Sequence, residues 1–565
     1  MKTQATSKIA LQSLKGNNIA IHVGEDAWQL LSNSTFLANW DKLFESCPWA
    51  TIFQHQSFAL TWYKIYRTKF LPVLVIAECE DQLNGLLTLA APVSGNKGQI
   101  VGAGHYDAEY HTWLTDGTDN GSFIQVAFTK LLQLFPQYPI YLRYIPPHTP
   151  IQWMREPKWK KRCVWLAGSR PLMNLNDPNI NMVFRKDDLK LKLNRLKRLG
   201  EVSFERITDK GQFAAILNEL ATLYDFRQGA MFNKNQFLDD LFKKDFILAL
   251  FDQNLLHVTV LKVSGKIFAS ISAVTDQEWV YLSGGFNVHA PFYAKRISPG
   301  YLSFMLLGQQ LVNEGKAVLD LTPGGDFYKE RMATSHEPVC ELIVTDSVIY
   351  RAKRQIRRKT YEYLAKAGKW PMGAELALRK RLYLLKNRVR QVKREGVLKT
   401  AVEKLKKVVQ PPAVKVYISP TTVIAFNDSM AINKNELSDL LLFVANGTLQ
   451  TRWEFLEDAM RRYGHGESSY TYCKDGRLLY CIWRTNNVEP IAAGNKLATE
   501  KRKEENFQLE NMYCHSEGRE KQNEFLKAVA HAITEENQNA TIRVVTSTKN
   551  KSLCQTLYSM GFTIS

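Results

Sequence analysis

The chain has 565 residues, 45% hydrophobic and 11% aromatic, which describes about three or four globular domains and excludes a disordered chain. The net charge is +19, but residues 351–410 carry 20 of the 74 Lys and Arg and only 4 of the 55 Asp and Glu, so the basic character belongs to one segment. No run approaches the ~18 apolar residues of a membrane span, and the lysine-bearing start lacks the apolar core of a signal peptide, so a cytoplasmic protein is expected.

Residues 1–24 read as a leader. From "WQLLSNSTFLANW" onward, in a unit spanning 25–175, helices and strands alternate, with "LPVLVIAECE" and "QLNGLLTLAAPV" as two strands joined by a polar turn. A second unit, 176–345, opens with the basic amphipathic helix "FRKDDLKLKLNRLKRL" and the strand "VSFERI". A helix from about 210 to 225 follows. Three strands come next, "LHVTVLKV", "KIFASISAVT" and "EWVYLSGGF", with Ser-Gly and Asp-Gln at their turns. Then come a helix opening with "SPG", the strand "AVLDL", the short helix "DFYKERMA" and the strand "CELIVTD". Strands on both sides of one helix predict a mixed sheet with a parallel crossover.

Residues 346–412 change character. Ile349, Ala352, Ile356 and Tyr363 share one helical stripe, "GKWPMG" breaks it, and Leu378, Leu382, Leu385, Val389 and Val392 follow at coiled-coil spacing. The reading is a basic helical hairpin ended by Pro411-Pro412 as a linker. Residues 413–565 repeat the order hairpin, strand, helix, strand, helix, which points to an internal repeat of fold. The turn at Asp475-Gly476 pairs Cys473 with Leu478. The eight cysteines contain no C-x-x-C, so neither a disulfide framework nor a metal cluster is expected.

Two stretches carry chemistry. In "SPGYLSF", Ser298 suits an N-cap and Pro299 the first helical position, while Gly300 allows close backbone approach. The free amides after it, at the positive helix end, would make an anion site; alone the stretch reads rather as an ordinary cap. In "VLDLTPGGDFYKER", Asp320 ends a strand, Gly324 and Gly325 make a flexible turn, and Tyr328, Lys329 and Arg331 follow. Sites in open sheets lie beyond the carboxyl ends of parallel strands, so both glycine turns are placed to face one cleft.

This ordered set resembles the acyltransferase family linked to cellulose and exopolysaccharide biosynthesis, within the GNAT superfamily of N-acetyltransferases. Ser298-Pro299-Gly300, Asp320, Gly324 and Tyr328-Lys329 carry the likeness, with "LKLNRLKRLGEVSFERI", "LYDFRQG", "TIFQHQSFALTWY", "LLTLAAP" and "GAGHYDAEYHTWL", over roughly residues 28 to 345. The resemblance implies an α/β chain of mixed sheets: tandem GNAT-like domains, the second binding acetyl-CoA or another acyl-CoA with its pyrophosphate on the amides of Gly300, Tyr301 and Leu302. It implies direct acyl transfer to a hydroxyl or amine of a sugar or cell-surface glycan precursor. Asp320 or Asp326 would serve as base, Tyr328 as proton donor to the thiolate, with Lys329 beside them, and His105, Asp107 and Tyr110 on the acceptor side.

The C-terminal unit is similar to the superfamily too, through Asn550, Tyr558, Gly561 and Phe562. Its phosphate loop, "HSEGREKQNEF", has one glycine, Gly518, and a Glu520 that would repel a pyrophosphate. This unit is expected to have lost cofactor binding or to bind weakly through Arg519 and Lys521. The basic segment at 351–410 is read as solvated charge, as a contact to an anionic membrane at the inner face or a polysaccharide, or as an RNA contact. RNA enters because the related Fem-type transferases carry a helical arm and use aminoacyl-tRNA. The alternatives are therefore a Fem-like aminoacyl-tRNA-dependent transferase and a non-catalytic scaffold docked through the hairpin.

Overall fold

The computed structural model describes residues 19–80, 82–93, 98–184, 187–292, 297–324, 326–395, 414–419, 430–445, 450–485, 506–537, 541–547 and 551–564. Residues 1–18 of the expected leader, Gly325, the 396–412 end of the basic segment with Pro411-Pro412, and Asn550 lie outside the described residues. The chain forms two compact units. One comprises Met1–Leu217, Asp240–Val288 and Gly300–Ala374; the other comprises Asn218–Asp239, His289–Pro299 and Glu375–Ser565.

The first unit is organised by one thirteen-stranded mixed sheet. Its strands are β1 (Ile19–Val23), β2 (Phe70–Cys79), β3 (Gln82–Pro92), β4 (Ile100–Gly102), β5 (Leu114–Thr115), β6 (Ile140–Ile145), β7 (Cys163–Asn174), β8 (Val202–Ile207), β9 (Leu256–Val263), β10 (Lys266–Thr275), β11 (Trp279–His289), β12 (Val318–Asp320) and β13 (Ser335–Val344). The edge strand β1 pairs antiparallel with β2, so residues 19–23 belong to the sheet rather than to a leader. The sheet reads β1-β2-β3-β4-β6-β13-β7-β12-β11-β10-β9-β8, with β5 pairing β3.

Two halves of like design meet in the middle of this order. In each, an antiparallel meander ends in a parallel pair, β4 with β6 and β11 with β12. The strand that closes each half comes from the other: β13 pairs β6, and β7 pairs β12, while β7 and β13 pair with each other along ten residues. Local chemistry sets the turns. Ser264 and Gly265 between β9 and β10 both have positive φ, as a tight twisted hairpin requires. Asp276 accepts from the amides of Glu278 and Trp279 at 2.9 and 2.7 Å and fixes the next turn. Behind the first half, the helix Ser122–Leu134 packs Phe123, Ile124 and Phe128 with Trp113, Trp153 and Trp159 in a core with almost no exposure.

The second unit holds a seven-stranded mixed sheet, β14 (Val414–Ile418), β15 (Asn433–Lys434), β16 (Ser468–Lys474), β17 (Arg477–Thr485), β18 (Asn506–Cys514), β19 (Thr541–Ser547) and β20 (Thr563–Ile564), in the order β15-β16-β17-β18-β19-β14-β20. Cys473 faces Leu478 across the Asp475-Gly476 turn, as the turn chemistry predicts. The pair β18 and β19 is parallel and is linked by the helix Gln522–Glu536, which repeats the β11–helix–β12 design.

The basic segment forms the helices Val348–Lys366 and Pro371–Glu395 on either side of Gly368, which has φ +65°. Their apolar positions do not form the buried seam that the heptad spacing predicts. Leu378, Leu382, Leu385 and Val389 are 47–59% exposed, and the first helix has no buried residue. No helix among the described residues is long and apolar enough to cross a membrane.

Candidate active site

The strands β11 and β12 run side by side only from Trp279 opposite Val318 to Tyr281 opposite Asp320. Beyond that register β11 continues to His289, while the chain after β12 turns toward the helix Phe327–Glu330. Two parallel strands thus part at their carboxyl ends, the place where open sheets hold ligands. Gly284, at φ +76°, turns β11 away, and Gly285 presses against the backbone of Ser272 so closely that a Cβ would overlap its carbonyl. Gly285→Ala is expected to destabilise the first unit by roughly 2–3 kcal/mol, because the obstacle is backbone and cannot rotate away. A urea melt showing less than half of that would mean that β11 shifts freely here.

Asp320 ends β12 with no exposure. Its carboxylate receives Tyr110 Oη at 2.7 Å, the Thr322 amide at 2.7 Å and Arg170 Nη1 at 3.4 Å. Burial pushes its pKa up to about 6, against the pull of Arg170 and of the Tyr110 and Thr322 hydrogen bonds. Arg170, on β7, also donates from Nε and Nη2 to Glu337 Oε2 at 2.8 and 2.5 Å, and lies between the rings of Tyr110 and Trp279. One guanidinium therefore joins an enclosed carboxylate to one that is 33% exposed. Tyr110, predicted for the acceptor side, is buried and donates to Asp320. Asp320 is held by three donors and closed to solvent.

The turn after β12 is built on Thr322, whose φ of +64° is unusual for a branched residue. Lys329 Nζ ties it down with bonds to the Thr322 hydroxyl at 2.9 Å and carbonyl at 3.2 Å, and lies 3.4 Å from Asp326 Oδ2. Lys329 is buried, whereas Asp326 is 34% exposed at the start of the short helix. Tyr328 is half-buried and stacks on Phe304 with ring centroids 5.6 Å apart.

The helix Pro299–Asn313 begins after Ser298, whose φ of +51° is left-handed rather than the extended backbone of an ordinary N-cap. Leu302 and Ser303 are buried in the first turn. Tyr301 carries a cation on its ring from each of two elements: Lys192 Nζ at 5.0 Å from the helix Asp187–Lys197, and the Arg331 guanidinium at 5.5 Å. Two positive side chains at the positive end of a helix, beside the small Gly300, suit a phosphate-bearing ligand.

Of the residues expected to meet the acceptor, His105 has φ +46° and is half-buried; burial lowers its pKa to about 4. Asp107 is engaged by Trp62 Nε1 at 3.1 Å and Lys243 Nζ at 2.5 Å. Sequence reasoning missed Glu109, which is buried, accepts from Ser283 Oγ at 2.6 Å and pairs with Arg143 at 3.0 Å. It thereby fastens the "GHYDAEYH" loop to β11.

In the second unit, the segment "HSEGREK" forms a 3-10 turn over Ser516–Lys521. The amide of Glu517 goes to the His515 ring at 3.3 Å, that of Gly518 goes to the His515 carbonyl at 3.0 Å, and Tyr480 Oη donates to the Gly518 carbonyl. The amides of Glu517 and Gly518 are thus bonded within the turn.

Residues 184–330 match the family model described as an acetyltransferase (GNAT) domain. No curated protein matches the chain. Among solved structures the chain is similar to the C-terminal domain of a putative lysylphosphatidylglycerol synthetase from Agrobacterium fabrum, at 13% identity over 57% of this chain and 95% of that one, TM-score 0.37. It is also similar to FemX, at 9% identity over 56% and 98%, TM-score 0.40. A third is a tandem GNAT protein from the clavulanic acid pathway, at 10% identity over 57% and 98%, TM-score 0.35. The chain is a mixed α/β protein with a GNAT-type domain, and that domain makes it an acyltransferase.

Proposed function

We propose that the first unit transfers an acyl group from acyl-CoA to a hydroxyl or amine of a sugar or exopolysaccharide precursor. The observation that carries the proposal is the parted β11–β12 pair, flanked by the Pro299–Asn313 helix start with Lys192 and Arg331 and by the Asp320–Lys329 turn. The backbone at Gly300, Tyr301 and Leu302 would hold the pyrophosphate, with Lys192 and Arg331 balancing its charge. Bound acyl-CoA would supply the acyl carbon and a thiolate leaving group.

Asp326, the more open carboxylate, takes the proton of the attacking hydroxyl or amine as the new bond to the acyl carbon forms. Tyr328 gives a proton to the sulfur as the C–S bond breaks. Asp320, Arg170 and Lys329 are positioning residues that hold the strand end and its turn. The sugar class rests on the motif likeness, and the exposed ring of Tyr106 beside His105 offers a face for a pyranose.

Thermal unfolding with acetyl-CoA and longer acyl-CoAs tests this reading. Saturation at about 100 Kd adds ~2.7 kcal/mol, a rise of several degrees. No rise with any acyl-CoA at millimolar concentration would sink it, and stabilisation by aminoacyl-tRNA in its place would establish the Fem-like alternative.

A further inference from the structure

The helix Val348–Lys366 has two dissimilar faces. Toward the protein it presents arginines. Arg357 lies 3.6 Å from Glu341 on β13, Arg358 lies over Trp165 on β7, and Arg351 donates to the Lys161 carbonyl. Away from the protein lie Ile349, Ile356 and Tyr363, exposed by 85%, 67% and 72%. At 1.5 Å per residue these three make a stripe about 21 Å long. Lys353, Lys359 and Lys366 are exposed and border that stripe at helical spacing. Glu362, the one acid on this helix, is paired with Arg358 at 3.4 Å.

A helix this long with no buried residue is not held by an apolar core: Tyr350, Tyr361 and Leu364 on its inner side are only half-buried, and the stripe of Ile349, Ile356 and Tyr363 faces solvent. An aliphatic stripe bordered by lysines is the pattern of a helix lying in a lipid interface, where the ammonium groups reach headgroup phosphates and the stems lie along the acyl boundary. Nucleic acid would favour the opposite arrangement, with arginines outward and no need for isoleucines.

We propose that this face docks on an anionic lipid surface. The helix Pro371–Glu395 also exposes an apolar run, Leu378, Leu382, Leu385 and Val389, but its exposed cations there are mostly arginines, Arg381, Arg388 and Arg390 with Lys386, so the lysine-bordered stripe belongs to Val348–Lys366.

The test is co-sedimentation of the full chain with phosphatidylcholine vesicles, with and without phosphatidylglycerol, in the absence of any CoA ester, so that it is independent of the transferase reading. Binding is expected to the anionic vesicles and to fall with salt. The Lys353→Gln, Lys359→Gln, Lys366→Gln variant should bind roughly 100-fold more weakly, at about fivefold per lysine. Ile349→Ser with Ile356→Ser should cost about tenfold or more with an unchanged thermal midpoint, because both side chains are exposed. The proposal is overturned if anionic vesicles are not bound at low salt. It is also overturned if the isoleucine variant binds them as well as the parent, or if polyuridylate is bound more tightly than vesicles and loses nothing on that substitution.

Discussion

Arg170→Leu is expected to lower the stability of the first unit by about 3–5 kcal/mol at neutral pH and by clearly less at about pH 5. The substitution leaves Asp320 with no exposure and without its guanidinium partner, while Glu337 can still turn to water. The sign of the pH dependence follows from the carboxyl. Its pKa in the folded chain is already raised from 3.8 to about 6, so the fold favours the neutral acid. Stability from that preference is complete below 3.8 and is lost as pH rises through about 6. Arg170 pulls this pKa down, so its loss moves the folded value higher and enlarges the ionisation penalty above pH 6. Urea melts of parent and variant at the two pH values check this. A second variant, Arg170→Leu with Asp320→Asn, should remove the pH dependence of the deficit. An equal deficit at both pH values would show that the lost stacking on Tyr110 and Trp279, not the charge, is what Arg170 contributes.

Gly300→Glu should abolish acyl-CoA binding while leaving the fold intact. A carboxylate in the first turn is neutral to favourable for the helix, by up to ~1 kcal/mol. Against a pyrophosphate it is a like charge at contact distance, worth about 4 kcal/mol at an effective dielectric of 20, or roughly a thousandfold in affinity. The chain carries a natural parallel at Glu520, near the corresponding helix start of the second unit. Calorimetric titration with acetyl-CoA decides the matter. Affinity within threefold of the parent, at an unchanged melting temperature, would place the pyrophosphate elsewhere.

Much of this was legible in the sequence because it is local. The Ser264-Gly265 turn, the Asp475-Gly476 turn with its Cys473–Leu478 pairing and the parallel crossovers from β11 to β12 and from β18 to β19 follow from turn chemistry and periodicity over a few residues. What escaped was choice of partner. β6, β7 and the second half of β13 carry apolar runs that would suit many neighbours, and nothing local says that β13 enters between the other two. Arg170 escaped for the same reason: it is one charge in an apolar strand, and its carboxylate partners lie 150 and 167 residues onward. The stripe of Ile349, Ile356 and Tyr363 was visible as a periodicity, but a period does not reveal whether the face is covered.

The interleaving of β7 and β13 also orders events during synthesis. β13 is the last strand of its sheet to leave the ribosome, yet it occupies the centre, with β6 on one side and β7 on the other. Until residue 344 has emerged, the nascent chain holds β6 and β7 with their shared partner missing, and two rows of backbone donors and acceptors wait unpaired. The sheet therefore closes late and over long sequence separations, which is slow. The nascent first half keeps these strand edges open until β13 arrives, and neither half, cut after residue 175, carries the strand that completes it.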